Sequence, residues 1–177
     1  FLNYFSQGFS GKRHTQWQLP VILLLVGLCA FLTFRQNRYW KDEVALFERA
    51  LKYEKHLGRV HILLGKAYYF QNEYDNAIRE MKTALSIVQD YIAKVENPEV
   101  KRFYGGLVKG VHFDLAHAYE QKGDFQNIIE NYEAALRIDP RYPVLHNNLG
   151  VAYLKSNLLD KAMEHFETAI MTDDKNV

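Results

Sequence analysis

Three copies of one short pattern constrain this chain more than any other feature. Leu64-Gly65-x-x-Tyr68, Leu115-Ala116-x-x-Tyr119 and Leu149-Gly150-x-x-Tyr153 repeat the same spacing. Nine residues after each Tyr stands Ala77, Ile128 or Ala162, four further on Met81, Tyr132 or Phe166, and three beyond those Ala84, Ala135 or Ala169. The second and third copies are 34 residues apart, and the first and second 51. A period of this length describes a supersecondary unit that buries its apolar face only by stacking on its neighbours. Gly and Pro together number 14 of 177 residues, against a turn-rich all-β fold, and 14% aromatic residues argue against disorder. A mostly helical chain follows.

The pattern resembles the tetratricopeptide repeat, whose two antiparallel helices need a small residue at each close crossing and a large one in the neighbouring gap. Asp139-Pro140 closes the second copy as that family's terminal Pro does, while Gln89 and Asp174 stand there in the others. The resemblance implies an all-α helical-hairpin solenoid, with repeats at 58–91, 109–142 and 143–177. Thirty-four residues before the first copy, Phe47 and Ala50 fall on second-helix positions, so 37–57 reads as a preceding half repeat. The additional 17 residues between the first two copies read as a helical insertion at 92–108. Its second helix continues through SIVQDYIAKVE, breaks at Asn97-Pro98, and restarts with Asn as N-cap and Pro at the first helical position. Gly105, Gly106 and Gly110 predict a kink or break near Gly105. No solvating cap helix follows the third copy, so a continuation of the chain or a partner is expected over the last hairpin.

Before the repeats lies a different composition. Residues 15–34 hold no charge, and Leu19 to Phe34 is apolar except at Thr33. At about 1.5 Å per residue, such a run reaches roughly the 30 Å of a hydrocarbon core. A single transmembrane helix at 15–36 is therefore expected, after a membrane-proximal segment at 1–14. Trp17, Arg35, Arg38, Tyr39 and Trp40 would be its interface anchors. The run ends Leu-Thr-Phe-Arg, without the small residues of a signal-peptide cleavage site. Two basic residues precede the run and six follow it within about 20 positions, which favours a cytoplasmic downstream part. The first residue is Phe rather than Met, as in a fragment or a processed chain.

Little in the chain suggests chemistry. One cysteine, Cys29, excludes an intramolecular disulfide framework and a thiolate metal cage. No phosphate-binding loop, nucleophile elbow or zinc signature is present, and neither an enzyme nor a cofactor is expected. His61, His112 and His146 share one repeat position, three residues before each Leu, and read as rings that fill an interhelical gap and bond a polar neighbour. All acidic residues lie at or after Asp42. The first 41 residues thus carry +5, and the other 17 basic residues against 21 acidic ones leave −4. The repeats show no basic stripe, so nucleic acid is not an expected partner.

A protein or peptide partner is expected instead. The resemblance places its groove on Lys66 and Tyr69 of the first copy, Asp114, His117 and Glu120 of the second, and Asn147, Asn148, Val151 and Lys155 of the third. The carboxylate clamp of chaperone-binding members does not carry over, because Ile62, Asp114 and Val144 stand where its Lys, Asn or Arg should be. Of the asparagine ladder of glycosyltransferase-associated repeats only Asn148 is present, beside Leu63 and Asp114. The leading expectation is a membrane-anchored scaffold that binds proteins at the bilayer, other subunits of a membrane complex among them. A second comes from the junction Arg35-Gln-Asn-Arg38-Tyr-Trp40-Lys-Asp42. It resembles the point where the last membrane helix of transmembrane-and-tetratricopeptide O-mannosyltransferase-like proteins meets their repeats. That resemblance implies the acceptor-binding tail of a polytopic glycosyltransferase, extracytoplasmic, with its catalytic residues upstream of Phe1.

Overall fold

The computed structural model describes residues 21–29, 32 and 42–173. The chain falls into two units, Phe1–Asp42 and Glu43–Val177. In the first, residues 21–29 form helix α1. Among the described residues no helix is long and apolar enough to cross a membrane. The expected transmembrane helix at 15–36, and the membrane location drawn from it, are corrected on this ground. The proposed anchors Trp17, Arg35, Arg38, Tyr39 and Trp40 lie outside the described residues.

The second unit is all-α among its described residues: α2 (Glu43–Tyr53), α3 (Gly58–Phe70), α4 (Tyr74–Lys94), α5 (Pro98–Lys122), α6 (Phe125–Ile138), α7 (Pro143–Lys155) and α8 (Leu159–Asp173). Consecutive helices pair as hairpins α3–α4, α5–α6 and α7–α8, and each hairpin stacks on the next through α4–α5 and α6–α7. Helix α2 covers the open side of α3, where Val44, Phe47 and Leu51 pack against Leu64, Tyr68 and Ala77.

Each hairpin turns in the same way. Asn72, Gly123 and Asn157, each four residues after the pattern's Tyr, take positive φ of 62°, 70° and 60°. Asn and Gly tolerate this left-handed region best. The next amide then donates back to the Tyr carbonyl: Glu73 to Tyr68 at 2.9 Å, Asp124 to Tyr119 at 3.1 Å and Leu158 to Tyr153 at 2.9 Å. The two helices of a hairpin cross where the pattern places its small residue. A Cβ added to Gly65 would lie 2.8 Å from Met81 Cγ, and one added to Gly150 would lie 2.7 Å from Phe166 Cε1. In the middle hairpin Ala116 is fully buried at the corresponding position.

The additional length between the first two copies lies in both flanking helices. Helices α4 and α5 run 21 and 25 residues, against 13 for α3 and α7. Helix α4 ends at Lys94, and Asn97 caps α5 by accepting from the amides of Glu99 and Val100, with Pro98 in the first turn. The kink expected near Gly105 is absent, and α5 is continuous from Pro98 to Lys122. Tertiary contacts outweigh the propensity cost of about 1 kcal/mol per glycine. Tyr104 meets the Tyr91 ring of α4 at 4.8 Å, Gly105 faces Ile138, and Lys109 binds Asp139 at 2.7 Å.

Candidate functional site

The three equivalent histidines each bond a residue 19 positions later, on the second helix of their own hairpin. His61 Nδ1 lies 2.8 Å from a Glu80 carboxylate oxygen, His112 Nδ1 lies 2.9 Å from Asn131 Oδ1, and His146 Nδ1 lies 3.0 Å from His165 Nδ1. In the outer two, Nε2 donates to a backbone carbonyl, Lys55 O and Pro140 O, each at 3.0 Å. These rings tie the hairpins together. Burial holds the His112 imidazole below its ordinary value, with the Asn131 bond acting in the opposite sense. Among the described residues no group of three or more His, Cys, Asp or Glu side chains is placed to hold a metal.

The hairpins are tied to one another by the pattern's Tyr. Tyr68 donates to Glu48 and Tyr153 donates to Glu133, both at 2.6 Å and both 20 residues back. Burial first, and then the neighbouring carboxylate, push the Tyr68 hydroxyl up to about 12 and raise Tyr153 in the same direction. At the middle junction Lys82 occupies the corresponding position, its ammonium 5.5 Å from the centre of the Tyr119 ring.

The first helices α3, α5 and α7 line three adjoining clefts. One, of about 260 Å³, is lined by Lys66, Tyr69, Phe70, Met81, Asp114 and His117. A second, of about 250 Å³, shares Lys66 and Asp114 with it and adds Lys109, Gly110, Phe113, Tyr142 and Leu145. A third, of about 80 Å³, shares His117 and adds Glu120, Phe125, Ile128, Tyr132, Asn148, Val151, Ala152 and Lys155. The structure thus brings together Lys66, Tyr69, Asp114 and His117 at one end, and His117, Glu120, Asn148, Val151 and Lys155 at the other. Asn147 is exposed on α7 and lines none of these three.

Cross-helix ion pairs bridge the groove. Lys66 of α3 binds Asp114 of α5 at 3.0 Å, and Lys155 of α7 binds Glu120 of α5 at 2.8 Å. His117 stands 3.6 Å from Glu120. The Lys155 bond, opposed by partial burial and aided by the charges of Lys155 and His117, holds the Glu120 carboxyl below its ordinary range. Tyr132, hydrogen-bonded to Asn148, is pushed up to about 12 by burial and then by the Glu120 charge.

Reasoning from the first helices alone missed part of this lining. Phe70 and Phe113 are sequence neighbours of Tyr69 and Asp114, and a full helical turn before Asp114 leads to Gly110. Phe125, Ile128 and Tyr132 come from α6, and Tyr142 from the loop that follows it.

Comparison with known families agrees with this architecture. A tetratricopeptide-repeat profile matches residues 58–91 and 144–176, and a TPR-repeat profile matches residues 116–157. The chain contains tetratricopeptide repeats. Two solved forms of MamA AMB-1 share the fold of this tetratricopeptide chain. Their TM-scores are 0.59 and 0.56 at 23% and 22% identity, over 74% and 73% of this chain and 62% and 66% of theirs. An uncharacterized protein of Haemophilus influenzae is 33% identical over 60 residues, 34% of each chain. The anaphase-promoting complex subunit CDC16 of Saccharomyces cerevisiae is 24% identical over 113 residues, which is 64% of this chain and 12% of that protein. This tetratricopeptide chain therefore spans about a third or less of these two curated relatives. The comparisons show no enzymatic family, and the glycosyltransferase relationship suggested by the junction before Asp42 finds no support in them.

Proposed function

We propose that the repeats are a protein-interaction scaffold and that the face formed by α3, α5 and α7 is its docking groove for an extended segment of a partner. One observation carries this reading: three clefts adjoin along one face and share Lys66, Asp114 and His117 as their dividers. Each is smaller than the roughly 300–1,000 Å³ of a small-molecule site. They suit single side chains of a peptide laid across the helices. The groove residues proposed for contact are Lys66, Tyr69, Asp114, His117, Glu120, Asn148, Val151 and Lys155, with Asn147 at the rim.

Gly110 offers a direct test. A Cβ there meets nothing within 4 Å, so a larger side chain projects into the cleft without a clash and replaces a poor helix former. Peptides selected from a random displayed library on the wild-type protein should lose at least about tenfold in affinity to Gly110→Leu, and to Lys66→Glu with Asn148→Ala, while far-UV circular dichroism stays unchanged. Equal binding by the folded variants, or a library that yields no binder, would remove the groove from consideration.

A further inference from the structure

We infer that the groove selects a partner segment by large apolar or aromatic side chains and not by its charge, an inference that rests on the docking reading above. Every acidic or lysine side chain lining the clefts already has a counterion. Lys66 holds Asp114 at 3.0 Å, Lys155 holds Glu120 at 2.8 Å, and Lys109 holds Asp139 at 2.7 Å. An acidic peptide finds no lysine in the clefts without its carboxylate, and a basic peptide no carboxylate without its lysine. Exchanging one such bridge for another changes the partners of the charges but not their number, and partly exposed bridges contribute little in either arrangement.

What the clefts leave open is apolar. Tyr69, Phe70, Phe113, Phe125 and Tyr142 line them, with Phe70 78% exposed and Phe125 and Tyr142 also exposed, while Tyr132 is buried. Exposed aromatic rings beside side-chain-sized clefts are the usual anchors of an interface, with the surrounding polar groups fixing register. The Lys66–Asp114 bridge divides the two larger clefts and therefore separates two anchor side chains of the bound segment. Its exposed edges supply donors and acceptors for the peptide backbone that crosses it. The occupant is thus an extended peptide with two large apolar residues, one on each side of that bridge.

The test uses the full chain and the library-selected peptides. Enriched sequences should carry a recurring pair of large apolar residues, and their affinity should change less than about threefold between 50 and 500 mM NaCl. Clustered like charges in the enriched sequences or a tenfold salt effect would overturn the inference. If Gly110→Leu still abolished binding in that case, the groove would stand and only its selectivity would have been misassigned. Binding indifferent to Gly110→Leu, or no binder at all, would overturn both.

Discussion

The first and last hairpins are two executions of one plan, and they differ in what surrounds them and in one polar pair. Both cross at a glycine, Gly65 or Gly150, both turn through an Asn with positive φ, and both bond their Tyr to a Glu of the preceding helix. Hairpin α3–α4 lies between α2 and α5, whereas α7–α8 has α6 on one side and no described element after α8. Burial follows from this. Met81, which fills the first crossing, is 1% exposed, while Phe166 at the last crossing is half-buried and Met163 and Ile170 on α8 are exposed. The same pattern thus yields one hairpin buried on both sides and one whose second helix is largely exposed among the described residues, because each repeat depends on its neighbours for burial.

The largest effect expected from this contrast comes from emptying the two crossings. Met81→Ala should cost about 2–5 kcal/mol, as for other buried large-to-small changes. Phe166→Ala should cost clearly less, since its ring already meets solvent. Urea unfolding of both variants checks this, and a greater loss for Phe166→Ala would break the comparison. Overpacking sharpens it. Gly65→Ala forces a methyl against Met81 Cγ and toward the Ala77 carbonyl at 3.2 Å, in a site closed on both sides. It should cost about 1–3 kcal/mol. For Gly150→Ala the three nearest atoms all belong to the Phe166 ring, a half-buried side chain and not backbone, so its helix-propensity gain should offset more of the strain. Equal losses in thermal unfolding would show the last hairpin to be as closely held as the first.

A smaller effect separates the junctions between hairpins. Tyr68→Phe and Tyr153→Phe each remove a 2.6 Å bond to a carboxylate and should cost about 1–2 kcal/mol. Tyr119→Phe keeps the ring that faces Lys82 and should stay within about 0.5 kcal/mol of wild type. Denaturant midpoints for the three variants measure this, and a loss at Tyr119 equal to the others would mean that its hydroxyl has a role the geometry does not give it.

The parts of this fold legible in the sequence are those set by contacts that recur. Small residue against large residue, with Tyr one turn on, marks each crossing wherever it occurs, so the hairpins and the half repeat of α2 can be read from Gly65, Ala116, Gly150, Phe47 and Ala50. The continuity of α5 cannot, because the groups that hold Gly105 and Lys109, namely Ile138 and Asp139, lie about 30 residues further on and belong to no motif. The groove was legible where it uses repeat positions, at Lys66, Asp114 and Asn148. It was not where the long α5 adds Lys109 and Gly110, or where α6 adds Tyr132 from a second helix. The spanning helix read from hydropathy at 15–36 is the part corrected, since no helix among the described residues is long and apolar enough to cross a membrane.

The smallest and most specific difference lies in the histidine pairs. In the first hairpin both His61 nitrogens face acceptors, so a ring carrying two N–H groups satisfies the Glu80 carboxylate and the Lys55 carbonyl together. In the last, His146 Nε2 donates to the Pro140 carbonyl, so its Nδ1 is an acceptor and takes the Nδ1–H of His165. One added proton is accommodated, on His165 Nε2 with the bond unchanged or on His146 Nδ1 if His165 changes tautomer. Two are not, because N–H would then face N–H. Around the pair stand Tyr153, stacked on His165 with rings 12° apart, the carboxylates Glu133 and Glu164, and Lys161. Burial and then His146 hold His165 below its ordinary value, and the two carboxylates only partly oppose them. A lowered histidine contributes stability that is present above its unfolded value of about 6.5 and is lost as pH falls from there toward the folded value. The midpoint of thermal unfolding should therefore be lower at pH 5.5 than at pH 7.5, with His112, also lowered by burial, adding in the same direction. His165→Glu transplants the first hairpin's pair into the last and should shrink that difference, leaving the part due to His112. An unchanged pH dependence in His165→Glu would mean that the stacked pair carries none of it, and that the two hairpins differ in burial alone.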